Sequence, residues 1–253
     1  MIYVSTVSHG HGKLISDLQC LCSLNKSDSI RVVIVDNVGE SELKEYCQLN
    51  QIDYICNDSA KGFGENNNLA FDYVSSKYNP ERNDKFLVLN PDVCVEDGVI
   101  IDLSKQMDEL KSEVATINLF KDDRYSVPDN SVRKFPTLLD LSRSFVGLKN
   151  NTIIDKSKLK TPSVVDWAAG SFLMFSCEHY RSLQGFDSMY FMYCEDVDIC
   201  YRSTRAGMPV TIFPELKGLH LASHANRNVF SKHFYWHVSS ALKFLMRKNG
   251  IAF

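Results

Sequence analysis

Several short stretches of this chain carry side chains able to move protons or hold a cation. Glu195-Asp196-Val197-Asp198 opens a predicted helix directly after the aromatic run Met189-Tyr190-Phe191-Met192-Tyr193. Acids at a helix start are favoured by the macrodipole, so capping accounts for them as well as catalysis does. Positions 195 and 198 share a helix face, and 196 is turned about 100° away. The three acids need not share one task, and one of them could act as a general base. Asn90-Pro91-Asp92 follows the apolar run Phe86-Leu87-Val88-Leu89, a predicted buried strand that delivers Asp92 to its end. A carboxylate there either completes an ordinary turn or holds a divalent cation able to neutralise a diphosphate. His220 follows Gly218-Leu219 and is either a satisfied histidine or a metal ligand, and His9 and His11 present the same choice.

Gly62-Phe63-Gly64 has the look of a phosphate cradle but lacks both the full GxGxxG pattern and a GK[ST] ending, so taken alone it reads better as a tight turn before a helix. Asn66, Asn67 and Asn68 follow. Three consecutive amides are poor helix formers that make sense as a first turn offering donors to a ligand.

The elements that must position these residues are legible as an alternation. Strands are predicted at Ile2 to Val7, Ile30 to Val35, Ile52 to Cys56, Phe86 to Leu89 and Val114 to Leu119. Amphipathic segments lie between them at Lys13 to Leu24, Glu40 to Leu49, Glu65 to Lys77 and Val99 to Leu110. This is the pattern of βαβ units around a mostly parallel sheet with helices on both faces, an α/β fold whose ligands sit at the carboxyl ends of the strands. Those ends carry Ser8-His9-Gly10-His11, Asp36-Asn37 and Asn90-Pro91-Asp92, with the Gly62 loop on the same rim. A polar stretch with a helix from Thr137 to Val146 follows. Strands then resume at Val164 to Trp167, Ala169 to Phe175 and Val210 to Phe213, with helices at Cys177 to Leu183 and Glu195 to Ala206.

Composition narrows the field further. Of 253 residues 44% are hydrophobic and 23% charged, which excludes a disordered chain and gives core enough to fold without disulfides or a structural metal. The eight cysteines form no CxxC pair and read as reduced core thiols, which points to a cytoplasmic protein. A net charge of -3 argues against a nucleic-acid partner. Yet from Lys217 to Phe253 there is no acid, and Lys217, Arg227, Lys232, Lys243, Arg247 and Lys248 are basic. In the tail from Val229 to Lys248, Phe230, Phe234, His237, Ala241 and Leu245 recur at helical spacing. Such a helix either packs on the core or lies on the inner face of a membrane, held by its aromatics and basic residues.

Taken together, these motifs resemble the GT-A glycosyltransferases of family 2, most closely bacterial rhamnosyltransferases of O-antigen and related polysaccharide synthesis. The likeness runs through Val7-Ser8-His9-Gly10, Val35-Asp36-Asn37, Gly62-Phe63-Gly64 with Asn66-Asn67-Asn68, and Leu89-Asn90-Pro91-Asp92-Val93. It continues in Val165-Asp166-Trp167-Ala168-Ala169-Gly170-Ser171-Phe172, Gly185-Phe186-Asp187 and Tyr190 to Cys200.

The resemblance implies a nucleotide-sugar half at residues 1–120, an acceptor and catalytic half at 121–225, and a basic amphipathic helix at 226–253. It implies an inverting transfer, with L-rhamnose from dTDP-β-L-rhamnose moved to a polyprenyl-diphosphate-linked saccharide. Asp196 would be the catalytic base, and Asp92 and His220 would hold Mg²⁺ or Mn²⁺. Ser8, His9, Asp36, Asn37, Gly62, Phe63, Gly64, Asn67, Asn68, Asn90, Trp167, Gly170 and Glu195 would line the substrate sites. Asn90 stands where the family's metal motif has its first aspartate, which removes one carboxylate. The alternatives are a UDP- or GDP-sugar donor, a sugar-1-phosphate nucleotidyltransferase and a non-catalytic membrane-peripheral module. The nucleotidyltransferase would call for an N-terminal Gly-rich loop with Arg and Lys, which His9-Gly10-His11-Gly12-Lys13 matches poorly.

Overall fold

A computed structural model describes residues 1–137, 139–140, 152–221 and 232–250. Most of the expected helix from Thr137 to Val146 lies outside the described residues, as do Arg227 and Phe230 and the side chain of Phe234.

In the first half β1 (Ile2–Ser8), α1 (Gly12–Leu18), α2 (Cys20–Asn25), β2 (Ile30–Asp36), α3 (Ser41–Leu49), β3 (Asp53–Cys56), α4 (Phe63–Tyr78), β4 (Lys85–Leu89), β5 (Val93–Cys94), α5 (Asp97–Leu110) and β6 (Val114–Phe120) follow one another. The single helix expected from Lys13 to Leu24 is broken at Gln19, whose φ of 54° lies in the left-handed region and ends one helix as the next begins. Then come β7 (Val132–Arg133), a 3₁₀ turn (Lys156–Lys158), β8 (Ser163–Val165), β9 (Trp167–Ala168), β10 (Phe172–Ser176), α6 (Cys177–Ser182), α7 (Glu195–Arg205), β11 (Val210–His220) and α8 (Lys232–Lys248).

The large sheet has the order β3-β2-β1-β4-β10-β6-β11-β5, with β8 beside β11, while β7 and β9 form a separate pair. Strands β1 to β4 are mutually parallel, and β10 enters antiparallel between β4 and β6. Alternation along the strands divides the core into two layers. Ile2, Val4, Leu87 and Leu89 face α1, α2, α3 and α5. Tyr3, Phe86 and Val88 face α4, α6, α7 and Phe244 of α8. Each buried apolar side chain contributes roughly 1.5–3 kcal/mol of transfer free energy, so the period-two pattern fixes which helix covers which face. The helices on both faces and the mostly parallel sheet agree with the sequence expectation.

The segments expected as separate pieces at Val210 to Phe213 and Gly218 to His220 form one strand. Its register against β6 slips between Phe213 and Lys217, where Pro214 cannot donate to a ladder. The end of β11 then pairs with β5, setting His220 opposite Val93, and Leu221 N donates to Asp92 O at 3.0 Å. A residue near the end of the chain is thereby placed on the rim of the fourth strand.

Candidate active site

The rim of the first half is built from polar side chains that hold one another. Asp36 is fully buried and accepts from Val38 N at 3.0 Å, Gly39 N at 2.9 Å, Glu40 N at 2.5 Å and Tyr54 OH at 2.8 Å. Burial alone would raise its pKa, but these donors outweigh it and hold the carboxylate below its ordinary range. Asp36 therefore shapes the loop after β2, each of its oxygens accepting twice. Asn37 is engaged likewise, its Oδ1 accepting from Lys61 N and Asn57 Nδ2 at 2.8 Å and its Nδ2 reaching Lys61 O and His9. Ser8 donates to Glu40 Oε1 at 2.7 Å and accepts from His11 N at 3.0 Å. His9 is exposed on this rim.

The asparagines of α4 also turn inward. Asn67 accepts from Ser5 Oγ at 2.7 Å and donates to Phe63 O at 2.9 Å. Asn68 donates to Phe186 O at 2.8 Å and accepts from Phe186 N at 2.9 Å and Tyr180 OH at 2.7 Å. Asn66 bonds Lys61 O, Gly62 O and Asn57. The first turn of α4 thereby forms a seam against residues 186–191. Gly62 and Gly64 belong to that seam: a Cβ at Gly62 would stand 2.2 Å from Phe191 O, and one at Gly64 2.7 Å from Phe186 Cβ. Phe63 packs edge-on against Phe186, with ring centroids 6.1 Å apart.

The carboxylates around the Asp92 loop and the start of α7 are less committed. Asp92 Oδ1 is buried without a hydrogen-bond partner and lies 3.5 Å from His220 Nε2, an ion-pair distance rather than a hydrogen bond. On the other side of the imidazole, Nδ1 meets Asp129 Oδ2 in a short contact. Burial opposes the His220 charge, but Asp129 and Asp92 together hold the imidazolium up to about 9. Asp129 was not anticipated from the sequence. It lies 91 positions from His220, and its amide donates to Leu119 O at 2.9 Å, so only the pairing of the chain beside β6 brings it there.

Asp196 belongs to the same region. Asn90 N donates to Ser171 O at 3.0 Å, and the neighbouring Gly170 N donates to Asp196 Oδ2 at 3.2 Å, which ties the Asp92 loop to the start of α7. Tyr193 and Cys194 precede that helix with φ of 70° and 65°, two consecutive left-handed residues that cost about 1 kcal/mol or more each. Asp196 is enclosed by protein yet keeps part of its surface open, and burial raises its pKa against the lowering effects of the Gly170 and Val197 amides and the Arg133 charge. Burial, then the Asp196 charge, push the Glu195 carboxyl up to about 8, and its Oε2 has no partner. Asp198 serves the fold, clamped by Arg202 Nε and Arg247 Nη1, each at 2.7 Å.

A full likeness of the 40% order to a known enzyme accompanies this geometry. Over 250 residues the chain is 40% identical to the rhamnosyltransferase WbbL of Escherichia coli K12, covering 98% of this chain and 94% of that one. The chain belongs to the family 2 GT-A rhamnosyltransferases. A shorter stretch of 86 residues is 33% identical to an N-acetylglucosaminyl-diphospho-decaprenol L-rhamnosyltransferase of Mycobacterium tuberculosis, covering 34% of this chain and 28% of that one. No family model matches the chain. Among solved structures, a mannosyltransferase of Pyrobaculum calidifontis in complex with GDP-Man and Mn²⁺ superposes with a TM-score of 0.65 at 12% identity, covering 97% of this chain and 64% of that one. S. aureus TarS 1-349 in complex with UDP-GlcNAc gives 0.62 at 12% identity, covering 98% and 66%. These structures share the GT-A fold, and the chain is a hexosyltransferase.

A family cation is accommodated in part. Asp92 Oδ1 is an orphaned buried oxygen beside an imidazole, and such oxygen and nitrogen donors suit Mg²⁺ or Mn²⁺. Among the described residues no group of three or more His, Cys, Asp or Glu is placed to hold a cation, and Asp129 takes the far nitrogen of His220. A bound cation would draw its other ligands from the diphosphate and water.

Trp167 is buried, its Nε1 donates to Lys134 O at 2.9 Å, and Arg133 stacks 5.6 Å from its ring, so it supports β7 and β9. Within the aromatic run Tyr190 is buried too, and Phe191 is exposed. The tail helix packs inward through Ala241, Phe244 and Leu245. Lys243 Nζ bonds Met189 O at 2.8 Å, Arg247 bonds Asp187 and Asp198, and Lys248 Nζ bonds Pro136 O at 3.1 Å. Arg247 is thereby paired with two acids, and Lys243 and Lys248 are held by backbone carbonyls. No helix of the described residues is long and apolar enough to cross a membrane.

Proposed function

We propose that this enzyme moves L-rhamnose from dTDP-β-L-rhamnose to a polyprenyl-diphosphate-linked saccharide with inversion at the anomeric carbon. The observation that carries the reading is Asp196, a carboxylate enclosed by protein but open on one side and joined through Gly170, Ser171 and Asn90 to the Asp92 loop. The near full-length likeness to a rhamnosyltransferase supports the choice of sugar, and the mycobacterial relative supports a diphosphate-linked acceptor.

Asp196 accepts the proton of the acceptor hydroxyl as that oxygen bonds to the anomeric carbon. The bond from that carbon to the diphosphate oxygen breaks on the opposite face, and the nucleoside diphosphate leaves with the electron pair. Gly170 N and Val197 N hold the Asp196 oxygens, at 3.2 and 2.8 Å, so that the open side faces the acceptor. Asp92 and His220 would hold Mg²⁺ or Mn²⁺, which offsets charge on the leaving diphosphate. Asp129 fixes the tautomer and orientation of His220 through Nδ1, as carboxylates do behind metal-binding imidazoles. The outer face of α8, with exposed Tyr235 and Leu242, is the surface that would meet the bilayer carrying the acceptor.

The test supplies dTDP-β-L-rhamnose and a synthetic diphosphate-linked N-acetylglucosamine with Mn²⁺. The expected products are dTDP and an α-linked rhamnoside. Equal transfer from UDP- or GDP-sugars overturns the donor, and diphosphate release from a nucleoside triphosphate with sugar 1-phosphate overturns the reaction class.

A further inference from the structure

The slip in β11 opens a cleft of roughly 430 Å³ that none of Asp92, Asp129, Asp196 or His220 lines. Asn118 and Phe120 of β6, Tyr125 after it, Lys156 and Lys160 around the 3₁₀ turn, and Lys217 of β11 enclose it. Three lysines face it against one acid, Glu215, in a chain whose net charge is -3. Lys217 Nζ stands 5.8 and 5.5 Å from the Phe120 and Tyr125 ring centroids.

Two of the lining residues are unusual for a surface. Lys156 is 4% exposed and donates to Leu119 O at 2.8 Å, which uses one of an ammonium's three donors. Asn118 is 8% exposed, its Nδ2 reaches Pro214 O only at 3.5 Å, and its Oδ1 has no partner. Burying polar groups this incompletely satisfied is costly unless a ligand supplies the rest. The lysines suit an anion, Asn118 Oδ1 is free to accept from a donor, and Tyr125, 41% exposed, offers an aromatic surface.

We infer that this cleft is a second ligand site that binds a phosphate-bearing saccharide, with the phosphate among Lys156, Lys160 and Lys217 and a sugar hydroxyl donating to Asn118. The phosphate has two possible sources, the diphosphate of the acceptor, in which case the inference rests on the proposed function, or a free sugar phosphate. The wall is shared with the catalytic region, since Leu119 O accepts from both Lys156 Nζ and the amide of Asp129.

The experiment saturates the donor site with dTDP and titrates N-acetylglucosamine 1-phosphate into the full chain and into Lys160→Glu/Lys217→Glu, two exposed positions whose replacement leaves the core intact. The expected result is a Kd raised about tenfold or more in the variant, with dTDP affinity and kcat unchanged. Equal Kd values, or no binding to the unmodified protein, overturn the inference. Asn118→Ala, checked for folding by its melting curve, is expected to weaken binding in the same assay.

A parallel measurement of KM for a short-chain alkyl-diphosphoryl N-acetylglucosamine separates the sources. A raised KM assigns the cleft to the acceptor, and an unchanged KM with weakened binding assigns it to a free sugar phosphate. Lysine-dependent binding in an enzyme that transfers nothing to the lipid-linked acceptor leaves the cleft standing and removes the acceptor reading. Transfer in both proteins with identical Kd values does the reverse.

Discussion

Around β2 and the start of α4, Asp36 gives its oxygens to four donors and Asn68 makes three bonds, whereas around the Asp92 loop and the start of α7, Asp92 Oδ1 and Glu195 Oε2 are buried without hydrogen-bond partners. Both regions are rich in carboxylates and amides at strand or helix ends. The first spends its hydrogen-bonding capacity on shape, and the second retains capacity for a proton or a cation. The buried unpaired oxygens cost stability, and such costs are tolerated where the groups serve a reaction.

The largest effect expected from this contrast is at Asp196. Asp196→Asn keeps the size and the amide contacts but removes the base, so kcat falls by about 10²–10⁴ while dTDP affinity holds. Wild-type turnover in this variant would remove the base from the mechanism. Next, Asp129→Asn weakens Mn²⁺ binding, read by titration of the free enzyme, by about 10–100-fold. Unchanged affinity would make Asp129 a purely structural partner of His220.

Asp36→Ala tests the other region. It strands three backbone amides and a tyrosine hydroxyl, at roughly 1–3 kcal/mol for each group that water cannot reach, so denaturant unfolding shifts to a much lower midpoint. An Asp36 that instead read the nucleotide would leave the midpoint in place and raise the donor KM.

The smallest effect concerns Glu195. Its folded pKa of about 8 lies above the ordinary 4.5, so at low pH it is protonated in both states and contributes nothing. As pH rises from about 4.5 to 8, the unfolded chain ionises while the folded one retains its proton, and folding stability falls. Glu195→Gln cannot ionise, so its melting temperature should match the wild type near pH 4.5 and exceed it by a few degrees at pH 8. A gap independent of pH would contradict the raised pKa.

Much of the scaffold was legible because burial imposes local periods. Phe86 to Leu89 reads as a central strand and is one, and the acids at 195–198 mark a helix start that exists. The site was legible in part. Asp92 and His220 come together as their motifs imply, but Asp129 carries no motif. Asn67 and Asn68 bond within the protein, and an amide run looks the same whether it meets a ligand or another loop. In the basic tail, Arg247 has an acid partner in Asp198, 49 positions away, which a count of charges along the tail cannot register.

The sequence by itself determined the alternation of strands and helices, the polar rims and the family, because these reside in residue order and short-range periodicity. Only the tertiary structure decided which polar atoms are already engaged. Asn68 meets Phe186 across 118 positions and Asp129 meets His220 across 91, and a hydrogen bond depends on distance in space rather than on separation along the chain.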